Sequence, residues 1–391
     1  MKITSITATP VAIPFRCDEY WAFGSRKGVI SVLVEVHTDE GIIGLGEASA
    51  YPSCDIVLAV LETIKGFAIG EDPFNIERLI NRIQVVGTWH HVKSSSPAIG
   101  AIEMACWDIV GKACNQPLVN IFGGVVRDNV DFFYYVSGNT PESIAAEGRR
   151  GKGQGFGTFY LKVGADNPKD DIARVEALRD GIGPDGLIRV DANEAWSPGA
   201  AIRIIREFEH YGLELVEQPV SGRNLSDMAY VRSRINTPML ANEASWTRYD
   251  QLEVIKAGAA DVLSVDNQMD SGLMNMKRSA GMAAVANLPV LKHSLGELGV
   301  AVYAGVHLMA STTNFIYANQ SYAALLSDDI LEGMTLLPYE KGKLTPPKGP
   351  GIGVSLDRDR VGRYAEVYAT QSKEFAFHDS EAIKAAYYPK R

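Results

Sequence analysis

The fold of this chain is decided by six short apolar runs, each ending on a polar side chain: FYLK (159–162), LIRVD (187–191), LELVE (213–217), PMLANE (238–243), VLSVD (262–266) and LPVLKH (288–293). The final charged residues are separated by 29, 26, 26, 23 and 27 residues, and stretches with helical period, such as AIRIIREFEHYG, lie between the runs. A strand and a helix repeated at this length are typical of a parallel β/α array. In a closed barrel, the C-terminal ends of all strands point to one face, so these six side chains would meet in one mouth.

The remainder of the chain predicts two flanking regions. Residues 1–48 contain three β signals, and the TDEG link predicts a hairpin between the second and the third. Residues 55–122 have apolar side chains at helical spacing. We therefore predict an α+β domain over residues 1–125, the β/α array over 126–330 with VDFFYYVSG as first and NFIYAN as eighth strand, and a C-terminal segment over 331–391 that packs back on the first domain.

Between the first two β signals lies the segment CDEYWAFGSRKG, residues 17–28. It is aromatic and aperiodic, which predicts a loop, and such loops often carry binding residues. We expect this loop to cap a substrate, with Tyr20, Trp21 and Arg26 as contacts.

Composition excludes several classes of function. The chain has 391 residues and a net charge of −9 without a basic stripe, which argues against binding nucleic acid or an anionic membrane. Pro or polar residues interrupt its apolar runs before they reach the length of a membrane span. The N-terminal MKITSITATP has no long apolar region, so we expect no signal peptide. The four cysteines show no CxxC spacing and are expected to be reduced thiols in a cytoplasmic protein.

Three of the strand ends carry acids, Asp191, Glu217 and Glu243. Carboxylates that lie close together repel and raise one another's pKa unless a cation holds them. Hard oxygen ligands with room for water and substrate suit Mg²⁺, and the absence of Cys or His at these positions argues against zinc.

The neighbouring strand ends carry groups that transfer protons. Lys162 precedes the acids, and we expect its pKa to be lowered beside a bound cation so that it can act as a base. Asp266 and His293 follow the acids, and we expect Asp266 to hold one ring nitrogen and stabilise the imidazolium. A metal with two opposed proton-transfer groups suggests removal of the proton α to a carboxylate.

On these motifs the chain resembles the mandelate racemase and muconate lactonizing enzyme branch of the enolase superfamily. AIEMACWDIVGKACNQPLVNIFGG (101–124) is similar to the N-terminal-domain hallmark of that branch, and YLKVG, VDANEAW, VEQP, ANEASW and KHSLGE are similar to its strand-end motifs. The resemblance covers essentially the whole length and implies an α/β fold, a (β/α)7β TIM-like barrel under an α+β capping domain, with Mg²⁺ as cofactor. It implies Lys162 as one acid/base group and Asp266 with His293 as the other. We assign Asn193 and Glu297, within the same motifs, as further substrate contacts.

The chain departs from the pattern of this branch at three places. The family often has Lys-x-Lys where this chain has Tyr160-Leu161-Lys162, so Tyr160 either donates a hydrogen bond to the substrate or packs. The motif ANE leaves the third metal ligand open between Glu243, which we prefer for its charge, and Asn242. The eighth strand, TTNFIYAN, lacks the acid that contacts the substrate carboxylate in mandelate racemase, so mandelate is not the expected substrate.

The expected activity is therefore Mg²⁺-dependent dehydration of a sugar acid or a related hydroxy acid. The alternatives are a racemase or epimerase, a lactone cycloisomerase, and a binding protein with an inactive site. The aromatic capping segment argues against a heavily hydroxylated substrate. The expected partners are a small-molecule carboxylate and further copies of the chain in a homo-oligomer.

Overall fold

The computed structural model describes residues 1–85 and 92–375. Its first layer is an antiparallel sheet of β1 (Ile3–Trp21), β2 (Gly24–Thr38) and β3 (Ile43–Ser49), in that order. The TDEG link joins β2 to β3 as expected. Four helices follow the sheet: α1 (Cys54–Ala68), α2 (Ile76–Val85), α3 (Val92–Ala113) and α4 (Leu118–Ile121). The part of the predicted helical stretch at 86–91 lies outside the described residues.

Glycines in β3 bring α3 close to the sheet. A Cβ atom at Gly44 would lie 2.1 Å from the carbonyl oxygen of Ala105, and one at Gly46 would lie 2.0 Å from that of Ala101. Only a residue without a side chain permits this approach. Any larger residue would push α3 away from the sheet.

The segment 17–28 is a β-hairpin and not the loop expected from its sequence. β1 and β2 stay paired up to Trp21 and Gly24, with an irregularity in register between Pro14 and Glu19. That irregularity breaks the period-2 pattern, which explains why the sequence reads as aperiodic. Glu19 and Arg26 pair across the hairpin, and their buried ion pair holds its two strands together.

The barrel sheet contains seven strands in sequential order, and every neighbouring pair is parallel. Its strands are β5 (Tyr134–Val136), β6 (Thr158–Lys162), β7 (Leu187–Asp191), β8 (Leu213–Glu217), β9 (Met239–Ala241), β10 (Val262–Val265) and β11 (Val290–Lys292), and the short β4 (Val130–Asp131) precedes them. The predicted eighth strand, NFIYAN, is reduced to single bridges from Phe315 to Val290 and from Asn319 to Phe132, which join the two edges of the curled sheet.

Helices on the outside of the barrel connect the strands: α5 (Pro141–Gly153), α6 (Pro168–Ile182), α7 (Pro198–Glu209), α8 (Leu225–Arg232), α9 (Arg248–Ala257), α10 (Leu273–Val285) and α11 (Gly299–Ala310). Their starts follow from local sequence. Thr140 and Thr247 form capping boxes, and Asn167 caps α6 ahead of a proline.

Two buried acids of the N-terminal region cap helices of the barrel. Glu103 on α3 accepts hydrogen bonds from the backbone N–H groups of Leu273 and Met274 at the start of α10. Glu47 on β3 accepts in the same way from Leu298 and Ala301 around the start of α11. Burial raises the pKa of each acid to about 7 even though these N–H donors oppose the shift. The two regions are therefore joined by carboxylates that satisfy helix N-termini.

The C-terminal segment returns to the N-terminal sheet. β12 (Lys343–Leu344) pairs with β4, and α12 (Arg358–Phe375) packs on β1 and β2, with Arg358 ion-paired to Glu35 at 2.6 Å. Residues 376–391, the end of the predicted tail, lie outside the described residues. The domain limits at 125 and 330 stay predictions. In the described ranges, no helix is both long and apolar enough to cross a membrane.

Candidate active site

The C-terminal ends of the barrel strands bring the six predicted side chains to one face. Lys162, Asp191 and Glu217 are the last residues of β6, β7 and β8, and the register places Lys162 beside Asp191 and Asp191 beside Glu217. Glu243, Asp266 and His293 follow shortly after the next three strands. A cavity of about 310 Å³ lies over this face and is lined by Lys162, Glu243 and His293, among others.

Asp191 and Glu217 are buried and Glu243 is half-buried, and within the described residues the carboxylates of Glu217 and Glu243 keep oxygens without a hydrogen-bond donor. Among the residues that the structure describes, neither side-chain oxygen of Glu217 has a hydrogen-bond partner, and Oε2 of Glu243 also has none, although all three atoms are buried. Burial, followed by the charge of Asp191, raises the pKa of Glu217 well above its ordinary value and that of Glu243 to about 8. The charge of Asp191 therefore makes it harder for Glu217 and Glu243 to ionise.

These orphaned oxygens fit a hard divalent cation. Across residues 1–85 and 92–375, no three Asp, Glu, His or Cys side chains are already placed to hold a metal ion, so binding would require the acids to move together. Asp191 is instead bound within the protein, because its Oδ2 accepts hydrogen bonds from Tyr160 and Lys162 and its Oδ1 accepts one from the backbone N–H of Asn193. Three buried oxygens without donors would nevertheless be satisfied by Mg²⁺, for which carboxylate oxygen is the preferred ligand.

The third ligand position has two candidates, and their surroundings differ. Glu243 accepts a hydrogen bond from Asn193 Nδ2 through Oε1 and keeps Oε2 without a partner. The side-chain oxygen of Asn242 accepts a hydrogen bond from Ser264 Oγ at 3.3 Å. Both residues line the cavity. The unpartnered oxygen and the electrostatic coupling to Asp191 favour Glu243.

Lys162 is buried at the end of β6 and held by two acceptors. Its Nζ lies 2.6 Å from Asp191 Oδ2 and donates to Asn193 Oδ1 at 2.8 Å. Burial lowers the pKa of Lys162, but nearby negative groups, Asp191 first among them, outweigh it, and the net shift is upward. The protein groups alone therefore favour the ammonium form of Lys162. The expected lowering of its pKa would require the charge of a bound cation.

The Asp266 and His293 side chains are neighbours without a hydrogen bond between them. Nδ1 of His293 lies 3.8 Å from Asp266 Oδ2, and neither atom has a hydrogen-bond partner in the part of the chain that the structure describes. Lys292 Nζ lies 3.6 Å from the other oxygen of Asp266, so that acid also faces a buried cation. The proximity required by the predicted dyad is present, and a small movement would close the remaining gap.

Three residues proposed as substrate contacts, Tyr160, Glu297 and Tyr20, do not line the cavity. Tyr160 is fully buried, stacks on Phe133 and donates its hydroxyl to Asp191, so it supports a ligand candidate rather than the substrate. Glu297 is fully buried as well, ion-paired with Lys292 at 2.5 Å. The alternation of β1 turns Glu19 and Trp21 toward the cavity, which leaves Tyr20 outside its lining. Trp21, Arg26 and Asn193 do line the cavity.

The sequence did not single out the buried network beneath the hairpin. Glu19 accepts hydrogen bonds from Arg26 Nε, Tyr135 and Tyr322, and it contributes to the charge around Lys162. Arg26 lies over the Tyr322 ring, 4.6 Å from its centroid. These residues come from three distant parts of the chain. In the sequence, the ion pair could have been indicated only by the presence of one acid, Glu19, and one base, Arg26, in the same short segment.

A second group that the sequence did not single out also lines the cavity. Tyr51 and Trp246 pack with ring centroids 5.3 Å apart, and both line the cavity together with Glu194. Burial, then Glu243 and Glu194, raise the pKa of Tyr51, which places this ring in a negative field. A second cavity of about 640 Å³ shares Tyr51, Glu194, Glu243 and Trp246 with the first.

Comparison with known proteins agrees with this architecture. Residues 3–123 match the N-terminal domain of the mandelate racemase / muconate lactonizing enzyme family, and residues 143–360 match the enolase C-terminal domain-like family. The chain belongs to the enolase superfamily. The expected fold class, a TIM-like β/α barrel with an N-terminal capping domain, is confirmed.

Relatives in the superfamily catalyse several reactions. An N-succinyl-L-Arg/Lys racemase from Bacillus cereus is 29% identical over 92% of this chain and 97% of its own length. A cis-3-hydroxy-L-proline dehydratase from Roseibium aggregatum is 29% identical over 94% of this chain and 100% of its own. A solved enolase from Thermobispora bispora, in complex with magnesium and formate, has a TM-score of 0.90 and 28% identity, covering 98% of this chain and 96% of that one.

Other relatives are epimerases and cycloisomerases. Because these superfamily members are enzymes, the present chain is an enolase-superfamily enzyme, and the alternative of a binding protein without activity falls away. The range of their reactions does not select a single one for this chain.

Proposed function

We propose that this enzyme removes the proton α to the carboxylate of a hydroxy acid and eliminates the β-hydroxyl as water. The observation that carries the proposal is the arrangement around the acid cluster. Lys162 on β6 and His293 after β11 both line one cavity, and β7, β8 and β9, which lead to the acids, lie between them in the sheet order. Two proton-transfer groups on either side of a candidate metal site suit chemistry at one carbon.

Asp191, Glu217 and Glu243 would hold Mg²⁺, with Asn242 as the alternative third ligand. When bound, the ion would supply positive charge that stabilises the substrate carboxylate as its α-proton leaves and that favours the neutral form of Lys162. Tyr160 donates to Asp191 from below and fixes the orientation of that carboxylate.

Lys162 is the proposed base and His293 the proposed acid. The α C–H bond breaks and its proton moves to Nζ of Lys162, while the electron pair forms the new C=C bond. The bond from the β-carbon to its hydroxyl breaks, and that oxygen takes a proton from His293 and leaves as water. Asp266, whose Oδ2 lies 3.8 Å from Nδ1 of His293, would orient the ring for this step.

A racemase or epimerase is the second candidate, because the same pair of groups could remove a proton on one side and return one on the other. The similarity to a racemase and to epimerases favours it as well. A lactone cycloisomerase stays a third candidate, because the reverse of its reaction also begins with removal of the proton α to a carboxylate.

The proposal is tested by incubating the enzyme in D₂O with a panel of hydroxy and amino acids, with Mg²⁺ or with EDTA, and following the products by NMR. We expect Mg²⁺-dependent incorporation of deuterium at the α-carbon together with loss of water. Recovered substrate of inverted configuration without any elimination product would replace dehydration by racemisation. Deuterium exchange that persists in EDTA would show that proton removal does not need a metal ion.

A further inference from the structure

We propose that Glu297 is a positioning residue of the reaction: it holds the buried ammonium group of Lys292 and thereby leaves the carboxylate of Asp266 free to orient His293. The inference rests on the proposed function, because it takes His293 as a proton-transfer group. Lys292 and Glu297 are fully buried and neither belongs to the cavity lining, so they act through other residues and not on the substrate.

Lys292, at the end of β11, lies between two buried acids. Its Nζ lies 2.5 Å from Glu297 Oε1 and 3.6 Å from Asp266 Oδ1, and all three side chains are fully buried. Across residues 1–85 and 92–375, no other lysine or arginine forms an ion pair with either acid. One buried ammonium group therefore serves two carboxylates, and it hydrogen-bonds to Glu297 while staying outside hydrogen-bond distance of Asp266.

Further contacts fix the position of the Lys292 ammonium group. Nζ also donates to the backbone carbonyl of His293 at 2.7 Å. The methylene stem packs against Gly305 in α11, where a Cβ atom would lie 3.1 Å from Cε of Lys292. Glu297 is held in turn by Ser294, whose Oγ donates to Oε2 at 2.5 Å. The pair of Lys292 and Glu297 is therefore built into the segment that follows β11.

Asp266 competes with Glu297 for the same cation. Burial lowers the pKa of Lys292, but the charges of Asp266 and then Glu297 outweigh it, and the net shift is upward. Because Asp266 attracts the ammonium group strongly, the hydrogen bond to Glu297 is what keeps Nζ at 3.6 Å from Asp266. If Glu297 lost its charge, we expect the ammonium group to move to Asp266, since hydrogen bonds to ionised acceptors are the stronger ones.

The oxygen of Asp266 that stays free is the one that faces His293. Oδ1 of Asp266 accepts a hydrogen bond from the backbone N–H of Gln268 at 3.2 Å. Oδ2 lies 3.8 Å from Nδ1 of His293 and has no hydrogen-bond partner among the described residues. A hydrogen bond from Nδ1 to this oxygen would fix the ring and leave Nε2 for the substrate. An ammonium group bound to Asp266 would cancel the charge that attracts the ring.

A count of charges gives a specific test of this competition. In their charged forms, Asp266, Glu297 and Lys292 together carry one negative charge, which a protonated His293 balances. Glu297→Gln brings the sum to zero. Adding Lys292→Met returns it to one negative charge, because the competing cation is then absent. The second substitution should therefore reverse the effect of the first.

The experiment compares the wild type with Glu297→Gln and with the double variant Lys292→Met/Glu297→Gln. Glu103→Gln is the matched control, because Glu103 is also a buried acid at the start of a barrel helix. Crystal structures measure the distance from Lys292 Nζ to Asp266. NMR in D₂O with Mg²⁺ measures α-proton exchange and elimination for the panel compound that the wild type dehydrates.

In Glu297→Gln, we expect Nζ of Lys292 to come within hydrogen-bond distance of Asp266. Elimination should fall roughly 10- to 100-fold, the scale of a misplaced catalytic group, while exchange through Lys162 stays unchanged. The double variant should recover most of this loss, which is the coupling that a double-variant cycle measures. Glu103→Gln should change neither rate.

The proposal is overturned if Lys292 in Glu297→Gln stays outside hydrogen-bond distance of Asp266. It is also overturned if elimination in that variant is unchanged or falls together with exchange, or if the double variant is no faster than Glu297→Gln. The wild type tests the proposed function separately, because exchange without elimination would reject dehydration. The distance from Lys292 to Asp266 in Glu297→Gln would then decide the inference by itself.

Discussion

The substitution Glu217→Gln should make the metal-free protein more stable than the wild type. In the presence of Mg²⁺ it should make the protein less stable than the wild type. In the metal-free protein, Glu217 is 1% exposed, and neither carboxylate oxygen has a hydrogen-bond partner within residues 1–85 and 92–375. A buried polar group without a partner costs about 1–3 kcal/mol, and a charged one costs more. Glutamine has the same shape without the charge, so we expect the variant to be more stable than the wild type by about 1–2 kcal/mol at pH 8 in EDTA.

The pH dependence follows from the direction of the pKa shift. The pKa of Glu217 is higher in the folded than in the unfolded chain, so the folded chain binds more protons once the pH exceeds 4.5. The stability of the metal-free wild type therefore falls as pH rises from 4.5 toward the raised pKa. Glutamine does not titrate, and the advantage of the variant should grow over the same range.

In Mg²⁺, the wild type should become more stable than the Glu217→Gln variant. A ligand at 100 times its Kd stabilises a folded protein by about 2.7 kcal/mol, and the variant lacks one proposed ligand charge. Urea unfolding at pH 6 and pH 8, in EDTA and in Mg²⁺, measures each difference, with the exposed Glu253→Gln as control. The reasoning is refuted if Mg²⁺ stabilises both proteins equally, or if the metal-free variant is less stable than the wild type by more than 1 kcal/mol at pH 8.

Three further predictions concern the metal, the hairpin and the joint between the two regions. Glu243→Ala should abolish Mg²⁺ binding in calorimetry while Asn242→Ala only weakens it, and the opposite result would move the third ligand to Asn242. Trp21→Ala should raise KM several-fold without changing the affinity for Mg²⁺, and an unchanged kcat/KM for every substrate would reduce the hairpin to a packing role. Glu103→Ala should lower the free energy of unfolding by about 2–4 kcal/mol because it leaves two buried helix N–H groups without an acceptor, as measured by denaturant unfolding against Glu77→Ala, an exposed ion-pair partner with an expected loss below about 1 kcal/mol.

The strand ends could be predicted because each combines a short apolar run with one polar residue at a near-constant interval. That pattern is local, and neighbouring parallel strands end at the same edge of a sheet. Lys162 and Asp191 could therefore be predicted to lie side by side from the sequence alone. The hairpin could not be placed in this way, because a change in register shifts which side chains face the cavity. Tyr20 was expected inside and Glu19 was overlooked for this reason.

Other features depend on partners far apart in the chain. The burial of Glu297 follows from Lys292, which turns inward from the end of β11 to pair with it. The direction of the Lys162 pKa depends on several buried acids and on a metal ion, and the sequence gives none of their distances. The choice between Asn242 and Glu243 turns on a single residue of register directly after a three-residue strand, where spacing alone carries too little information.

The proposed reaction depends on Lys162 acting as the base and His293 acting as the acid. Each group has one proton-transfer role, and loss of a general acid or base typically costs about 10²–10⁴-fold in rate. A variant that keeps its base can still exchange the α-proton with solvent, even when the hydroxyl cannot leave for want of a proton.

The most direct test is α-proton exchange in D₂O, followed by NMR together with formation of the elimination product, for His293→Asn and Lys162→Ala with the wild type alongside. We predict that His293→Asn retains exchange and loses dehydration, whereas Lys162→Ala loses both. Exchange abolished in His293→Asn and preserved in Lys162→Ala would contradict the account and assign the base to His293.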